Sequence, residues 1–175
     1  GLFDDYIQGS DDDNTLDGFW GNDVIHGGLG DDTLYGGNGD DTLNGGDGRD
    51  LLYGGDGDNI IDGGAGIDAV YYTDNLAGVT INLFSNYADV DGDGIADDSL
   101  FGIENVYGSA FDDDITGNAA MNVILGNAGN DTITGNDLDE ELYGGAGDDE
   151  LYGQSGVDML YGGSGDDLIR GGSGD

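Results

Sequence analysis

The sequence has no cysteine and no proline among its 175 residues. Without cysteine, disulfides and thiolate metal sites are excluded, so an extracellular chain of this composition would need another stabilising element, such as bound metal. No run of about 18 consecutive apolar residues occurs, which is the length that a membrane-spanning helix needs. The sequence therefore predicts neither a disulfide scaffold nor a membrane span.

Basic residues are almost absent. Two of them face 39 acidic residues, which gives a formal net charge of -37. Phosphate groups would be repelled, so we expect no nucleic acid and no anionic membrane as an unaided partner. With 36% hydrophobic residues and so much unbalanced charge, the bare chain approaches the regime of disordered proteins. Cations are the partners that this composition favours.

Glycine is abundant, and aligning its 39 copies exposes a nine-residue period. Four tandem copies read GGLGDDTLY from Gly27, GGNGDDTLN from Gly36, GGDGRDLLY from Gly45 and GGDGDNIID from Gly54. The register extends over a first block, 1–71, and a second block, 108–175, separated by a non-repetitive insert, 72–107. Because the sequence opens and closes partway through a repeat, we read it as an excerpt.

Two positions of the repeat carry the strongest pattern. The sixth position always holds an oxygen ligand: Asp5, Asn14, Asp23, Asp32, Asp41, Asp50, Asn59, Asp68, Asp113, Asn122, Asp131, Glu140, Asp149, Asp158 and Asp167. The eighth is always aliphatic: Ile7, Leu16, Ile25, Leu34, Leu43, Leu52, Ile61, Val70, Ile115, Ile124, Ile133, Leu142, Leu151, Leu160 and Ile169.

The aliphatic eighth position predicts a very short strand with its central side chain inward, since neighbours along a strand face opposite ways. The six preceding residues would form the turn. One such strand buries little alone, so two nonapeptides form a coil and successive coils stack. The sequence predicts an all-β fold, a flattened right-handed parallel β-roll (β-solenoid) of 18-residue coils.

Stacking would place equivalent turns about 4.8 Å apart. Asp32, Asp50 and Asp68 would then form a ladder on one edge, and Asp23 and Asp41 on the other. Two such charges repel by roughly 1 kcal/mol in water and more in a partly dry site, whereas a divalent cation between them reverses the sign. Oxygen-only ligands with many glycine carbonyls favour calcium over magnesium, zinc or copper.

The insert contains a second kind of candidate calcium site, in the stretch DVDGDGIADD from Asp89 to Asp98. Its spacing is typical of an EF-hand-like loop, with Gly94 at the sharp turn and Leu100 in place of the usual glutamate. The alternative is an acidic solvated turn. The candidate ligands are Asp89, Asp91, Asp93, the Ile95 carbonyl and Asp97.

The repeat GGxGxDxUx resembles the RTX (repeats-in-toxin) family of hemolysin-type, type I secreted proteins, over about three quarters of the chain. The resemblance implies an ion between loop n and loop n+2, held by both aspartates and by carbonyls of the first and third positions of one loop and the second and fourth of the other. Mapped here, Gly27, Leu29 and Asp32 would face Gly46, Gly48 and Asp50, and Gly36, Asn38 and Asp41 would face Gly55, Gly57 and Asn59.

About ten calcium ions are expected on this pattern. Several loops depart from it, and their sites are expected to be weak or empty. Phe3 and Phe111 replace the fourth-position glycine, and the loop from Gly135 has Leu138 and Glu140. Asn14, Asn59 and Asn122 lower the ligand charge.

Motifs for catalysis are missing: there is no HExxH, no GxSxG and no lysine. We therefore expect no enzyme activity in this segment and hold three hypotheses. The first is a secreted, calcium-triggered folding module that passes through the type I secretion machinery. The others are the repeat region of an adhesin or surface-layer protein, with a glycan or cell-surface partner, and an accessory domain of a secreted protease, lipase or polysaccharide epimerase.

Tyrosines recur 18 residues apart at the outward-facing ninth position. Tyr35, Tyr53 and Tyr71 should stack as one ladder, and Tyr143 and Tyr161 as another. Stabilisation of a sheet face is the favoured interpretation. The alternative is a stripe that binds a glycan or a protein partner.

Overall fold

The computed structural model describes residues 1–90, 92, 94 and 97–174, and its regular structure is all β. In that part of the chain no helix is long and apolar enough to cross a membrane. The strands are β1 Tyr6–Gln8, β2 Thr15–Trp20, β3 Val24–Leu29, β4 Thr33–Asn38, β5 Thr42–Gly48, β6 Leu51–Asp56, β7 Ile60–Gly66, β8 Ala69–Tyr71, β9 Thr80–Asn82, β10 Tyr87–Asp89, β11 Asp98–Phe101, β12 Asn105–Tyr107, β13 Asp114–Thr116, β14 Val123–Ala128, β15 Thr132–Asn136, β16 Glu141–Ala146, β17 Glu150–Ser155, β18 Met159–Ser164 and β19 Leu168–Ser173.

The chain forms two compact units: Gly1–Tyr71 with Ala96–Ile103, and Tyr72–Ile95 with Glu104–Asp175. In the first unit the odd strands pair in the order β1-β3-β5-β7-β11, and the even strands in the order β2-β4-β6-β8. All these pairs are parallel, and within the repeats each partner lies 18 residues further along, as Leu43 opposite Ile61. This is the predicted coil, and it confirms the parallel β-roll.

The second unit repeats the arrangement with β9-β13-β15-β17-β19 and β12-β14-β16-β18, all parallel. Its 18-residue register is the same, as Ile133 opposite Leu151. One pair is antiparallel: β10 folds back on β9, with Ala88 opposite Ile81. The hairpin lies in the insert, outside the nonapeptide repeats.

The core is the column of eighth-position side chains. Leu43 and Ile133, for example, have no solvent exposure, whereas Ile169 is 46% exposed because β19 pairs with β17 alone. The fully enclosed members are Ile25, Leu34, Leu43, Leu52, Ile61, Val70, Ile115, Ile124, Ile133, Leu142 and Leu151.

Most strands of the repeats are longer than the sequence predicted. Instead of three residues around the eighth position, β4 continues through Gly36 and Gly37 to Asn38, the third residue of the next repeat. Its inner and outer faces alternate, because Leu34 and Gly36 are buried and Tyr35 is exposed. The first-position glycine is therefore an interior residue of the strand, and the turn is correspondingly shorter than six residues.

The insert supplies coil strands to both units. Ile81 lies opposite Ile115 in the second unit and is 1% exposed. In the first unit Leu100 lies opposite Ile61, and it too is 1% exposed. Leu100 thus occupies an eighth position of the coil.

The predicted tyrosine ladders are present. Tyr35 stacks on Tyr53 and Tyr53 on Tyr71, both with ring centroids 4.6 Å apart. Tyr143 stacks on Tyr161 with centroids 4.8 Å apart and an angle of 8° between the rings. Ring spacing follows the spacing of adjacent parallel strands, which confirms stacking between coils.

Ile133 and Ile169 provide a matched test of the core, since both are eighth-position isoleucines of the second unit. With calcium in excess, Ile133→Ala should lower the free energy of unfolding by about 2–5 kcal/mol, because it leaves a cavity in a closed column. Ile169→Ala should cost under about 1 kcal/mol. Urea unfolding followed by circular dichroism measures both, and equal losses would contradict the proposed core.

Candidate metal centre

The sixth-position side chains form hydrogen-bonded ladders between coils. On one edge the backbone N–H of Asp32 donates to Oδ1 of Asp50 at 2.8 Å, and that of Asp50 donates to Asp68 at 2.8 Å. On the other edge the N–H of Asp23 donates to Oδ1 of Asp41 at 2.7 Å. The two predicted ladders are confirmed. Each carboxylate thus has one oxygen engaged by the preceding coil.

The second oxygen of many of these side chains is buried and has no hydrogen-bond partner. Asp50, for instance, is fully buried, and its Oδ2 meets no donor. An unpaired buried carboxylate oxygen is costly unless a cation or a proton reaches it. Such oxygens are Oδ2 of Asp23, Asp32, Asp41, Asp50, Asp131 and Asp149, and Oε1 of Glu140.

The first-position glycine of the next coil places its carbonyl near each of the unpartnered aspartate oxygens. A Cβ added to Gly27 would overlap both Oδ2 of Asp32 and the carbonyl oxygen of Gly45, one coil further on. The same pair of clashes recurs at Gly126, with Asp131 and Gly144. Two oxygens from neighbouring coils thus approach one point, which only glycine leaves open. Carboxylate and carbonyl oxygens are the ligands that calcium takes, so the residues fit this ion.

Burial shifts the titration of these groups. Desolvation raises the pKa of Asp131 and of Glu140 to about 7, and the pKa values of Asp41 and Asp50 to about 6. Without a cation the folded chain therefore holds protons that an unfolded chain would release. Desolvation also raises the pKa values of Asp32, Asp113 and Asp149.

The predicted carbonyl ligands lie in the C-terminal halves of the strands or in the turns that follow them. Gly46 and Gly55 have φ angles of 113° and 92°, which side chains rarely adopt. At the third position Leu29 is 46% exposed, and Asn38 donates from Nδ2 to Asp56 on the adjacent coil. The other predicted turn residues, Gly48 and Gly57, also have positive φ, and Gly36, like Gly27, is buried within its strand.

Other predicted ligands differ in burial and partners. Asp158 and Asp167 are half-buried and accept N–H groups from Glu140 and Asp149, each at 3.1 Å, whereas Asp5 is exposed. Asn59 turns its amide to the Gly57 carbonyl at 3.2 Å. These residues remain predicted ligands.

Asn14 and Asp113 meet backbone donors within their own loops. The N–H of Ser10 donates to Oδ1 of Asn14 at 2.6 Å. That of Ser109 donates to Oδ2 of Asp113 at 2.7 Å.

In the EF-hand-like stretch, Asp89 is 6% exposed and accepts the N–H groups of Gly92 and Gly94 at 2.8 and 2.7 Å. This is the turn that the spacing predicted. Asp97 is half-buried. The other candidate ligands, Asp91, Asp93 and Ile95, lie outside the described residues, so this calcium site stays a prediction.

Sequence reasoning missed Asp98. It is 1% exposed, and its Oδ1 accepts the N–H of Asn59 at 2.9 Å, as a sixth-position residue would. The signal was available: Asp98, two residues before Leu100 and four before Gly102, keeps the spacing of the repeat. The insert thus extends the acidic ladder of the first unit.

Clusters of three or more His, Asp or Glu side chains that could hold a metal are absent from the described part of the chain. The predicted sites instead combine few carboxylates with many carbonyls. A family model described as the RTX calcium-binding nonapeptide repeat matches in four copies, at residues 1–34, 35–70, 100–133 and 134–169. No curated protein matches the chain.

The raised pKa values predict an acid-stabilised metal-free fold. Because the folded chain binds more protons than the unfolded chain between the ordinary pKa of aspartate and the raised values, its stability should increase as the pH falls through about 7 and about 6. Circular dichroism of the metal-free chain should therefore show more β signal at mildly acidic pH. With calcium in excess the trend should reverse, since protons displace the ion; a β signal that falls on acidification without metal would contradict the assignment.

Proposed function

Because this chain belongs to the RTX calcium-binding nonapeptide repeat family, we propose that it is a segment whose folding is triggered by calcium once the chain has left the cell. Ions would bind between successive loops of each unit and convert a disordered chain into the β-roll. The unpartnered, buried carboxylate oxygens carry the proposal, because they are costly in the fold unless a cation neutralises them.

Sixth-position carboxylates such as Asp32 and Asp50 would hold the ions, together with the carbonyls of the glycine-rich turns. The predicted third-position and fourth-position donors, Leu29 and Gly48 among them, would complete the shell. Calcium would supply positive charge to oxygens that have no donor, at a coordination number that carbonyl-rich turns can satisfy. Magnesium demands a compact octahedron and retains water, so it fits these sites poorly.

Folding and binding would be coupled, because only the stacked state brings the loops together. Each ion then stabilises the fold by about 1.4 kcal/mol when its free concentration is tenfold above the dissociation constant. Millimolar extracellular calcium would saturate sites of the weak, modular class, whereas scarce cytosolic calcium would not. The chain would stay unfolded inside the cell and pass through a type I secretion machinery.

The larger protein would be extracellular or attached to the cell surface. Two roles fit the segment: the repeat region of an adhesin or surface-layer protein, or the accessory domain of a secreted enzyme. The tyrosine ladders favour neither, since stacked rings such as Tyr143 and Tyr161 offer a glycan mainly their edges. Catalysis within the segment is not proposed, because the buried carboxylates are committed to the stacking of coils.

Circular dichroism tests the coupling directly. In excess chelator at neutral pH the chain should give a coil-like spectrum, and millimolar calcium should convert it cooperatively to a β spectrum. Magnesium at the same concentration should not, for the reasons of size and hydration given above. A β spectrum that persists in chelator would refute calcium-triggered folding.

Substitutions of two neighbouring aspartates distinguish the loss of a calcium ligand from a change in net charge. Asp149 is buried with an unpartnered Oδ2, whereas Asp148 is exposed and accepts the N–H of Asp166 at 2.8 Å. Asp149→Asn should raise the calcium concentration at half-folding roughly tenfold, through loss of a charged ligand, and stabilise the metal-free chain by removing a buried charge.

Asp148→Asn is the control, since Asn130 occupies the equivalent position one coil earlier and accepts the same kind of bond. It should leave both quantities nearly unchanged. Equal shifts in the two variants would show that net charge, and not the buried site, determines the calcium response.

A further inference from the structure

The loops of the two units have two backbone conformations, and the fourth residue separates them. Where that residue is glycine, both it and the second residue have positive φ, even when the second residue has a side chain. Asn127 and Gly129 have φ of 79° and 123°, and Phe19 and Gly21 have 75° and 117°. We call these loops open. Their second residues are Phe19, Gly28, Gly37, Gly46, Gly55, Gly64, Asn127, Gly145, Gln154, Gly163 and Gly172.

Three loops, from Gly9, Gly108 and Gly117, have Asp12, Phe111 and Ala120 at the fourth position. Among the described non-glycine residues, only Phe19, Asn86, Asn127 and Gln154 have positive φ, so these loops have it at neither position. We call these loops closed.

In each closed loop, the N–H of the second residue donates to the sixth side chain. The bonds are Ser10 to Asn14 at 2.6 Å, Ser109 to Asp113 at 2.7 Å and Asn118 to Asn122 at 2.9 Å. The loop from Gly135, with Leu138 at its fourth position, also lacks positive φ. It is intermediate in its hydrogen bonds, because its bond to Glu140 is 3.4 Å and Oε1 stays unpartnered.

Two consecutive loops on one edge show what closure does. Asp113 and Asp131 are 3% and 1% exposed, so both are costly to ionise. Asp113 receives donors at both oxygens: the N–H and the hydroxyl of Ser109, each at 2.7 Å, and the N–H of Val79 at 2.8 Å. Asp131, in an open loop, has an unpartnered Oδ2. Only the open loop needs a cation.

Side-chain amides supply a second, independent observation. Asn127 donates from Nδ2 to the Gly108 carbonyl at 2.8 Å, and Asn136 donates to the Gly117 carbonyl at 2.7 Å. Both acceptors are first-position carbonyls of closed loops. In each case an amide N–H of the next coil donates to the carbonyl that would otherwise bind a calcium ion. The two closed loops of the second unit therefore have donors at both the sixth side chain and the first carbonyl.

We infer that the fourth residue of each nonapeptide decides whether its loop is a calcium site or a metal-free turn, and that the loops from Gly9, Gly108 and Gly117 take no ion. The inference rests on the proposed function, since it divides the loops of a calcium-binding roll. Positive φ costs a residue with a side chain roughly 1–2 kcal/mol, so a fourth residue such as Phe111 favours closure. Asp113 then joins its coil to the neighbouring one through the N–H of Val79 and needs no metal.

The test uses variants that should convert the loop from Gly108 from closed to open. This loop is suitable because its sixth residue, Asp113, has a carboxylate that can bind calcium once the loop is open. Two variants of the whole chain differ only at residue 111: Ser109→Gly/Phe111→Gly/Asn127→Gly and Ser109→Gly/Phe111→Ala/Asn127→Gly. Both lose the phenyl ring, the serine hydroxyl and the asparagine amide, but only the first gains a glycine at the fourth position. Native mass spectrometry at saturating calcium counts the ions bound to each variant and to the wild type.

The first variant should bind one more ion than the wild type, and the second the same number as the wild type. If the wild type binds calcium and folds while the two variants bind equally, the inference is overturned and the proposed function stands. A wild type that binds no calcium overturns both. As a measurement that needs no variant, a crystal of the wild type grown in calcium should show an ion between the loops from Gly27 and Gly45, whereas an ion between those from Gly108 and Gly126 would overturn the inference.

Discussion

The stability of the fold depends on the sixth-position carboxylate oxygens that are buried without hydrogen-bond donors. In each ladder one carboxylate oxygen accepts an N–H from the preceding coil, as Asp41 does from Asp23, and this bond holds equivalent turns in register. The other oxygen has no donor and, as at Asp32, lies near the first-position carbonyl of the next coil. Burial raises the pKa values of these groups, so at neutral pH the stacked state is at a disadvantage that a proton reduces and a divalent cation removes. The sixth-position carboxylates thus set both the register of neighbouring coils and their need for an ion.

Glycine has two separate tasks in this arrangement. At the first position it lies inside the strand, where any side chain would overlap the sixth-position carboxylate, as at Gly27. At the second and fourth positions its value is the positive φ that keeps the turn open.

Much of this could be read from the sequence, because a nine-residue period fixes both columns at once. The eighth-position aliphatic residues and the sixth-position acids are where the period placed them, and the parallel register follows. The insert was harder, because its residues serve the coil and a turn motif together. Leu100 reads as a defect in an EF-hand-like loop, whereas in three dimensions it is a core residue and Asp98 is a ladder residue. The conformation of a second-position residue was also beyond local reasoning: Asn127 and Asn136 are the same residue type, yet only Asn127 has positive φ. The residue two places further on, Gly129 or Leu138, distinguishes them.

The tyrosine ladders have an optical consequence. Each ring of the Tyr35, Tyr53 and Tyr71 ladder belongs to a different coil, and neighbouring centroids are 4.6 Å apart. At that separation the electronic transitions of the phenol rings couple, so the near-ultraviolet dichroism of the stack differs from that of isolated tyrosines. The chain thereby contains a chromophore that exists only while adjacent coils are in contact. Assembly of the first unit can be followed through it without an added label.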